Sequence, residues 1–468
     1  MNVNDYFDIN TFSVESSMLV NGEFRLNPDF YEALLNSNNF HQTDTFKLGE
    51  KAKISHPGIT KREYIDSKKL GIPFLSTSDL QFYETVDNKY VSIETSKNLD
   101  DYIVEENTIL ISRSGTIGNL SLVDKNIAGF AVTEHAIRIE VNDFIYLGLV
   151  YTFLNSEIGQ KIIKGQKSGA VIDEIYDVDI EQLHIPDLNE HLLDQLNNKV
   201  LQAKEKREKA FFLINKARSL VLQYNNLPTL DNAELETLDP EKETELQMVN
   251  TKEFTDDYRL DAHFHSHIFK KANENIKSFS SNYCQLNELC TDVFLCNRFK
   301  RNYVDSDNGV PLIGTKNMMQ IRPSGKFIAR NGIPNDVLMQ KNWILLARVG
   351  SLGGTFGKVS FVWNNFEGQV GSDNIIRIIP DSNVIDPGYL FAFLNSYYGY
   401  NLIIQIRFGA LQDALDTNYI SKILIPITKT ENQKKIGDLV RKAYDLRAEA
   451  IRLEDEAQDI LTKELTGK

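Results

Sequence analysis

Apolar and polar positions follow two regimes along this chain, and each regime occurs twice. Residues 108–113, 136–141, 343–348 and 374–379 are short β-branched runs bounded by Gly, Asn and Asp, the pattern of strands. Residues 145–159 and 389–400 carry the wider apolar spacing of helices. Each region closes on Ile-Pro, at Ile185-Pro186 and Ile425-Pro426, where proline lacks an N–H and turns its predecessor away from helix. Past each Ile-Pro the chain changes to helix formers with heptad spacing. Leu196, Val200, Ala203, Arg207, Ala210, Ile214, Ala217 and Val221 make one stripe, and Ile436, Val440, Ala443, Arg447, Ala450, Glu454, Ala457 and Leu461 make the other. Each helix would run for about 33 residues, or roughly 50 Å. Neither can bury its stripe alone. Alanines recurring every seventh residue let two axes approach closely, so one long helix is the simplest partner for the other; the alternative is that each packs on its own domain. An antiparallel pair would relate the two halves by a local two-fold axis and hold two similar surfaces at the ends of a rigid spacer.

The halves match in more than pattern. Arg25-Leu26-Asn27-Pro28-Asp29-Phe30 is echoed by Arg259-Leu260-Asp261-Ala262-His263-Phe264, and Ile72-Pro73-Phe74-Leu75 by Val310-Pro311-Leu312-Ile313. The sharpest pair sets Arg113-Ser114-Gly115-Thr116-Ile117-Gly118 against Arg348-Val349-Gly350-Ser351-Leu352-Gly353, each after an apolar strand. Phe153-Leu154-Asn155-Ser156 returns as Phe393-Leu394-Asn395-Ser396, and Gly169-Ala170 as Gly409-Ala410. The offset drifts only from 234 to 240 residues, so a duplicated unit is predicted.

Composition refines this picture. The 468 residues, 42% of them hydrophobic, exceed what one core usually organises and point to two domains. The opening twenty residues are mixed polar and acidic, which predicts no signal peptide, and no apolar stretch reaches membrane-spanning length. Cys284, Cys290 and Cys296 supply no disulfide framework, and the expected location is the cytoplasm. A formal charge of −14 argues against nonspecific coating of nucleic acid. Basic residues are nevertheless segregated. Residues 47–69 hold seven against three acids, residues 297–330 seven against two, whereas residues 224–250 hold seven acids and one Lys.

Two halves of this make resemble the specificity subunits of type I restriction-modification enzymes. The resemblance rests on Gly409-Ala410-Leu411, Ile425-Pro426 and Glu431-Asn432-Gln433-Lys434-Lys435-Ile436, and more loosely on Gly169-Ala170-Val171, Ile185-Pro186 and Asn189-Glu190-His191. The first copy departs at Asn189-Glu190-His191-Leu192, where the Gln-basic pattern is missing, and no Pro follows Ile427. The resemblance implies an α/β fold: two tandem mixed α/β target-recognition domains, each followed by a long helix, the helices pairing as an antiparallel coiled coil. The expected bounds are 1–188 and 249–428 for the domains, 189–224 and 429–465 for the helices, and 225–248 for an acidic linker. The resemblance also implies that each domain reads one half of a two-part double-stranded DNA target. The helices would dock two adenine methyltransferase subunits, with motor-nuclease subunits as an open further partner. The chain itself would be non-catalytic and without cofactor; some relatives serve related phage-defence methylation. A protein scaffold whose helices recruit partners without DNA is the alternative.

Catalytic motifs are weak. Asn27-Pro28-Asp29-Phe30 approaches the [ND]-P-P-[FY] loop of amino-methyltransferases, but no Gly-rich donor turn accompanies it. The Arg-x-Gly-x-x-Gly segments lack the Gly-Lys-Ser/Thr of a phosphate loop. They fit either a close backbone approach to DNA or a plain hairpin turn. His263, His265 and His267 with the three cysteines have no metal-ligand spacing, so no metal is expected. Base readout needs Arg or Lys for guanine and Asn or Gln for adenine. The first domain offers Lys61, Arg62, Lys68, Lys69, Arg113, Lys164, Gln166 and Lys167. The second offers Asn297, Arg298, Lys300, Arg301, Tyr303, Lys316, Asn317, Arg322, Arg348, Gln405 and Arg407. The strongest clusters are Lys61-Arg62 and 298–301, where Phe299 and Tyr303 interleave aromatics with charge.

Overall fold

The computed structural model describes residues 44–65, 69–84, 89–96, 98–167, 173–230, 259–323, 325–350, 352–364, 366–409 and 412–467. Lys68, the 25–30 segment, Gly169-Ala170-Val171, Ala410-Leu411 and most of the expected acidic linker lie outside the described residues.

In the first domain β1 (Thr45–Lys47) pairs antiparallel with β10 (His184–Pro186), so the start and end of the domain meet, with Phe46 opposite Ile185. Between them β2 (Ala52–Ser55), β9 (Ala136–Val141), β6 (Ile109–Ser112) and β7 (Leu120–Leu122) form one sheet in the order β2-β9-β6-β7. Alternation along β6 decides its two faces. Ile109 and Ile111 join Ile137 and Ile139 in the core beneath the helices, while Leu110 faces Leu75, Val123 and Val132 on the opposite side. A second sheet runs β3-β5-β4-β8, from β3 (Tyr64–Ile65), β4 (Gly71–Leu75), β5 (Tyr90–Ser92) and β8 (Ala131–Val132), with β4 and β8 parallel.

The second domain repeats this plan. β11 (Tyr283–Gln285) pairs with β22 (Leu424–Pro426), closing the domain as β1 and β10 do. One sheet runs β12-β20-β16-β18, using β12 (Cys290–Leu295), β16 (Ile344–Ala347), β18 (Val359–Phe361) and β20 (Ile375–Pro380). The other runs β13-β15-β14-β19, using β13 (Tyr303–Val304), β14 (Gly309–Ile313), β15 (Phe327–Ala329) and β19 (Val370–Gly371), with β14 and β19 parallel. One detail of the expected repeat is corrected. Gly118, at φ 87°, donates its N–H to Ser112 at 3.0 Å and starts the return into β7; the residue in that role in the second copy is Gly357, at φ 71°, bonded to Ala347 at 3.0 Å, and not Gly353. Both glycines abut the following helix, Gly118 at Ile163 and Gly357 at Ile403. The second loop is therefore longer, which raises the offset from 235 at Arg113 and Arg348 to 239 at Gly118 and Gly357.

The long helices span Glu190–Tyr224 and Thr430–Thr466. Asn189 caps the first by accepting the Leu192 N–H at 3.1 Å, and Gly467, at φ 66°, closes the second through the Lys463 carbonyl. Every apolar member of both stripes is buried. Leu196 and Val200 share a cluster with Ala457 and Leu461, Ala203 with Ala450, and Ala210, Ile214, Ala217 and Val221 with Ile436, Val440 and Ala443. That order means the two helices run in opposite directions. Lys199–Glu456 at 2.6 Å, Lys206–Glu449 at 2.9 Å and Arg207–Glu454 at 2.5 Å cross between them. Each domain also grips its own long helix. The Leu147–Asn155 helix lies so close that a Cβ on Gly148 would fall 2.3 Å from the Asn197 backbone, and one on Gly388, in the Pro387–Leu394 helix, 2.7 Å from Gly437 Cα.

Candidate nucleic-acid interface

The structure brings separate candidates together at one edge of each domain. Arg62, just before β3, ion-pairs with Glu134, just after β8, its Nη2 donating at 2.9 Å while the guanidinium lies over the Phe74 ring at 4.8 Å. Burial works to raise the Glu134 carboxyl, but Arg62 outweighs it and holds it below the usual range. The next residue, His135, accepts the Arg113 N–H on its carbonyl at 2.9 Å, and its Nδ1 lies 2.8 Å from Ser114 Oγ. Arg113 in turn pairs with Glu174 at 3.0 Å and covers Tyr176. Both arginines are thus committed as struts. Around them Lys61, Tyr64 and the Gly115-Thr116 tip are exposed and His135 half-exposed.

The same edge recurs in the second domain. Arg301, just before β13, pairs with Asp373, just after β19, and Arg298 reaches the same carboxylate at 3.2 Å with its side chain 92% exposed. Arg348 receives the Leu415 N–H on its carbonyl at 3.1 Å, as Arg113 receives that of Ile175 at 3.0 Å, and its own N–H donates to Asn374. Lys61-Arg62-Glu63-Tyr64-Ile65 therefore corresponds to Lys300-Arg301-Asn302-Tyr303-Val304. Each copy presents an exposed lysine and an exposed tyrosine on either side of a pinned arginine, with both tyrosines 54% exposed. Tyr64 and His135 were missed as candidates. The signal for Tyr64 was the repeated Lys-Arg-x-Tyr.

Other candidates go elsewhere. Lys69, Lys164, Asn297 and Lys316 are exposed, and Lys167 stands 4.0 Å from Asp173. Asn317 donates its side chain to Gln320, and Gln405 donates to the Phe264 carbonyl. Arg407 pairs with Asp413 at 3.0 Å and lies near His263, whose Nε2 is 2.8 Å from the Ile404 carbonyl. Arg322, expected on a DNA-facing loop, lies on the second long helix: it donates to Asp455 at 2.7 Å, to Glu454 at 3.0 Å and to the Ile451 carbonyl at 3.1 Å. Burial opposes the ionised Glu454, yet Arg207 and Arg322 bring its carboxyl down to about 2. Burial pushes the Cys284 thiol up to about 11 and that of Cys290 to about 12, which keeps both protonated near neutral pH. Among the described residues no cluster of His, Cys, Asp and Glu could hold a metal ion, and no helix is long and apolar enough to cross a membrane.

Two strand-sheet domains of one design agree with the comparisons with known proteins, which also find two matching stretches. The model of the type I restriction modification DNA specificity domain matches residues 41–210 and 292–455, one stretch in each copy. The chain belongs to this family, and its two copies are DNA-specificity domains of a type I restriction-modification specificity subunit. A curated relative, the type I restriction enzyme MjaVIII specificity subunit of Methanocaldococcus jannaschii, is 23% identical over 410 residues, 85% of each chain. Among solved structures, the type I restriction-modification system S subunit from M. genitalium is 16% identical with a TM-score of 0.33, covering 90% of this chain and 94% of that one. The HsdS subunit from Thermoanaerobacter tengcongensis is 13% identical with a TM-score of 0.28, over 91% and 96%.

Proposed function

We propose that this chain reads a two-part DNA target, one half with each domain, and that its long helices form an antiparallel coiled-coil spacer on which two adenine methyltransferase subunits dock. The domains span 1–188 and 249–428, the spacer helices 189–224 and 429–465, joined by an acidic linker at 225–248. The chain carries no catalytic step; methyl transfer belongs to the docked subunits, and the complex works in the cytoplasm. The observation that carries this reading is the duplicated edge. Lys61 and Tyr64 in one domain and Lys300 and Tyr303 in the other sit at equivalent places in equivalent sheets. Lysine there would anchor a phosphate, and tyrosine would offer a ring and a hydroxyl to sugar or base. Pinning Arg62 and Arg301 on carboxylates fixes these neighbours without spending the arginines on DNA.

The test is to express the chain with a methyltransferase partner and sequence the methylated genome. A two-part adenine motif with a fixed gap is expected. An unmodified genome from an intact complex, together with equal binding to cognate and scrambled duplexes at physiological salt, would favour a protein scaffold instead.

A further inference from the structure

The two domains do more than share the helix pair: they touch. Residues 79–84 follow β4 and residues 317–322 follow β14, the same place in the repeat, and the two turns meet. Phe82 and Gln320 form an antiparallel bridge, in which the Tyr83 N–H donates to the Met319 carbonyl at 3.1 Å and the Ile321 N–H to the Gln81 carbonyl at 2.8 Å. Phe82 leaves its own domain's core and is buried with Met318, Met319, Met339 and Trp343 of the other. Two residues on, Glu84 accepts from Arg218 of the first long helix, from Arg447 of the second at 3.2 Å, and from Asn395 of the second domain at 3.4 Å. Burial favours a neutral Glu84, but the two arginines override it and lower its carboxyl to about 2.

Opposite charges key the turns. The repeat counterpart of Glu84 is Arg322, which grips Glu454 and Asp455. Exchanging the two turns would set Arg322 against Arg218 and Arg447, so each turn fits only its own end of the helix pair.

We propose that this clasp, with Phe82 and Glu84 as its positioning residues, fixes the separation and relative rotation of the two reading domains and so selects the gap between the half-sites. The inference rests on the two-part reading above. A gap changed by one base pair displaces one half-site by about 3.4 Å and turns it by about 35°. A helix pair alone can twist and bend to follow part of that motion. Domains joined also through a bridge, a buried ring and a shared carboxylate cannot follow without breaking those contacts, so the misfit is passed to the DNA as deformation.

The experiment uses the full chain in complex with its methyltransferase subunits. Binding and methylation are measured on duplexes with the native gap and with gaps one and two base pairs longer and shorter. Wild type should prefer one gap sharply. Glu84→Gln, which keeps the shape and removes the charge, and Phe82→Ala should each reduce the preference for the native gap over its one-base-pair neighbours by about tenfold, the scale of a modest DNA deformation. Their recognition of each half-site sequence should be unchanged. Glu84→Asp should restore part of the preference, and Glu157→Gln, at an exposed pair with Lys161, should leave it at wild type. Should Phe82→Ala fail to fold, Glu84→Gln carries the test. Folded complexes of Glu84→Gln with wild-type gap preference overturn the clasp and leave the two-part reading intact. A wild type indifferent to gap overturns both.

Discussion

At the scale of single residues, the two domain edges separate side chains tied into the fold from exposed ones, which the proposed function assigns to DNA. Arg62, Arg113, Arg301 and Arg348 are occupied by carboxylates or carbonyls, whereas Lys61 and Lys300 project from the same edges. Lys61→Ala and Lys300→Ala should each weaken binding to all sequences alike and reduce the slope of log affinity against log salt by about 1, measured by titration at several salt concentrations. Gly148→Ala should cost at least about 1–3 kcal/mol in urea unfolding, because its methyl would meet the Asn197 backbone and backbone cannot step aside as a side chain can. The sequence displayed the exposed lysines, of which Lys61 stands 3.8 Å from Glu63, but not the difference between them and the struts. Glu134 and Asp373 lie some seventy residues from their arginines, and no local pattern announces such a pairing. The repeated Lys-Arg-x-Tyr was visible in principle. A search led by apolar runs passes over it, since three of its four positions are polar or unspecified.

At the scale of elements, periodicity was a reliable guide where burial is continuous. Every apolar stripe position of the two long helices is inside, because an amphipathic helix of that length has one apolar face to place. The loops were harder to read. Gly353 satisfies the same local spacing as Gly118 and also adopts positive φ, at 78°, but it stands in open space, whereas Gly357 takes the turn against the next helix as Gly118 does. Arg322 gave no sign of its place on the second long helix, because its partners Glu454 and Asp455 come late in the chain. These buried pairs make the helix junction sensitive to acid. Glu84 and Glu454 are both lowered to about 2 in the folded chain. Their contribution to stability is therefore complete above the ordinary carboxylate range, near about pH 4.3, and is lost as pH falls toward 2. Urea midpoints should drop over that interval, and Glu84→Gln should be less stable than wild type at pH 7 while losing less on acidification.

At the scale of the whole molecule, each end of the helix pair completes one domain. Leu196 and Val200 with Ala457 and Leu461 close the first core, and Ala210 to Val221 with Ile436 to Ala443 close the second. A tandem repeat in sequence thereby becomes two like domains, each closed by a different end of the same helix pair. The central claim is that the two domains read DNA independently at a set separation. It is tested most directly by replacing residues 21–188 with the first domain of another such subunit, keeping the 79–84 turn, and sequencing the genome methylated by the resulting complex. The account predicts a two-part adenine motif in which one half is new, while the other half and the gap are those of the parent. A motif altered in both halves, or in neither, would contradict it.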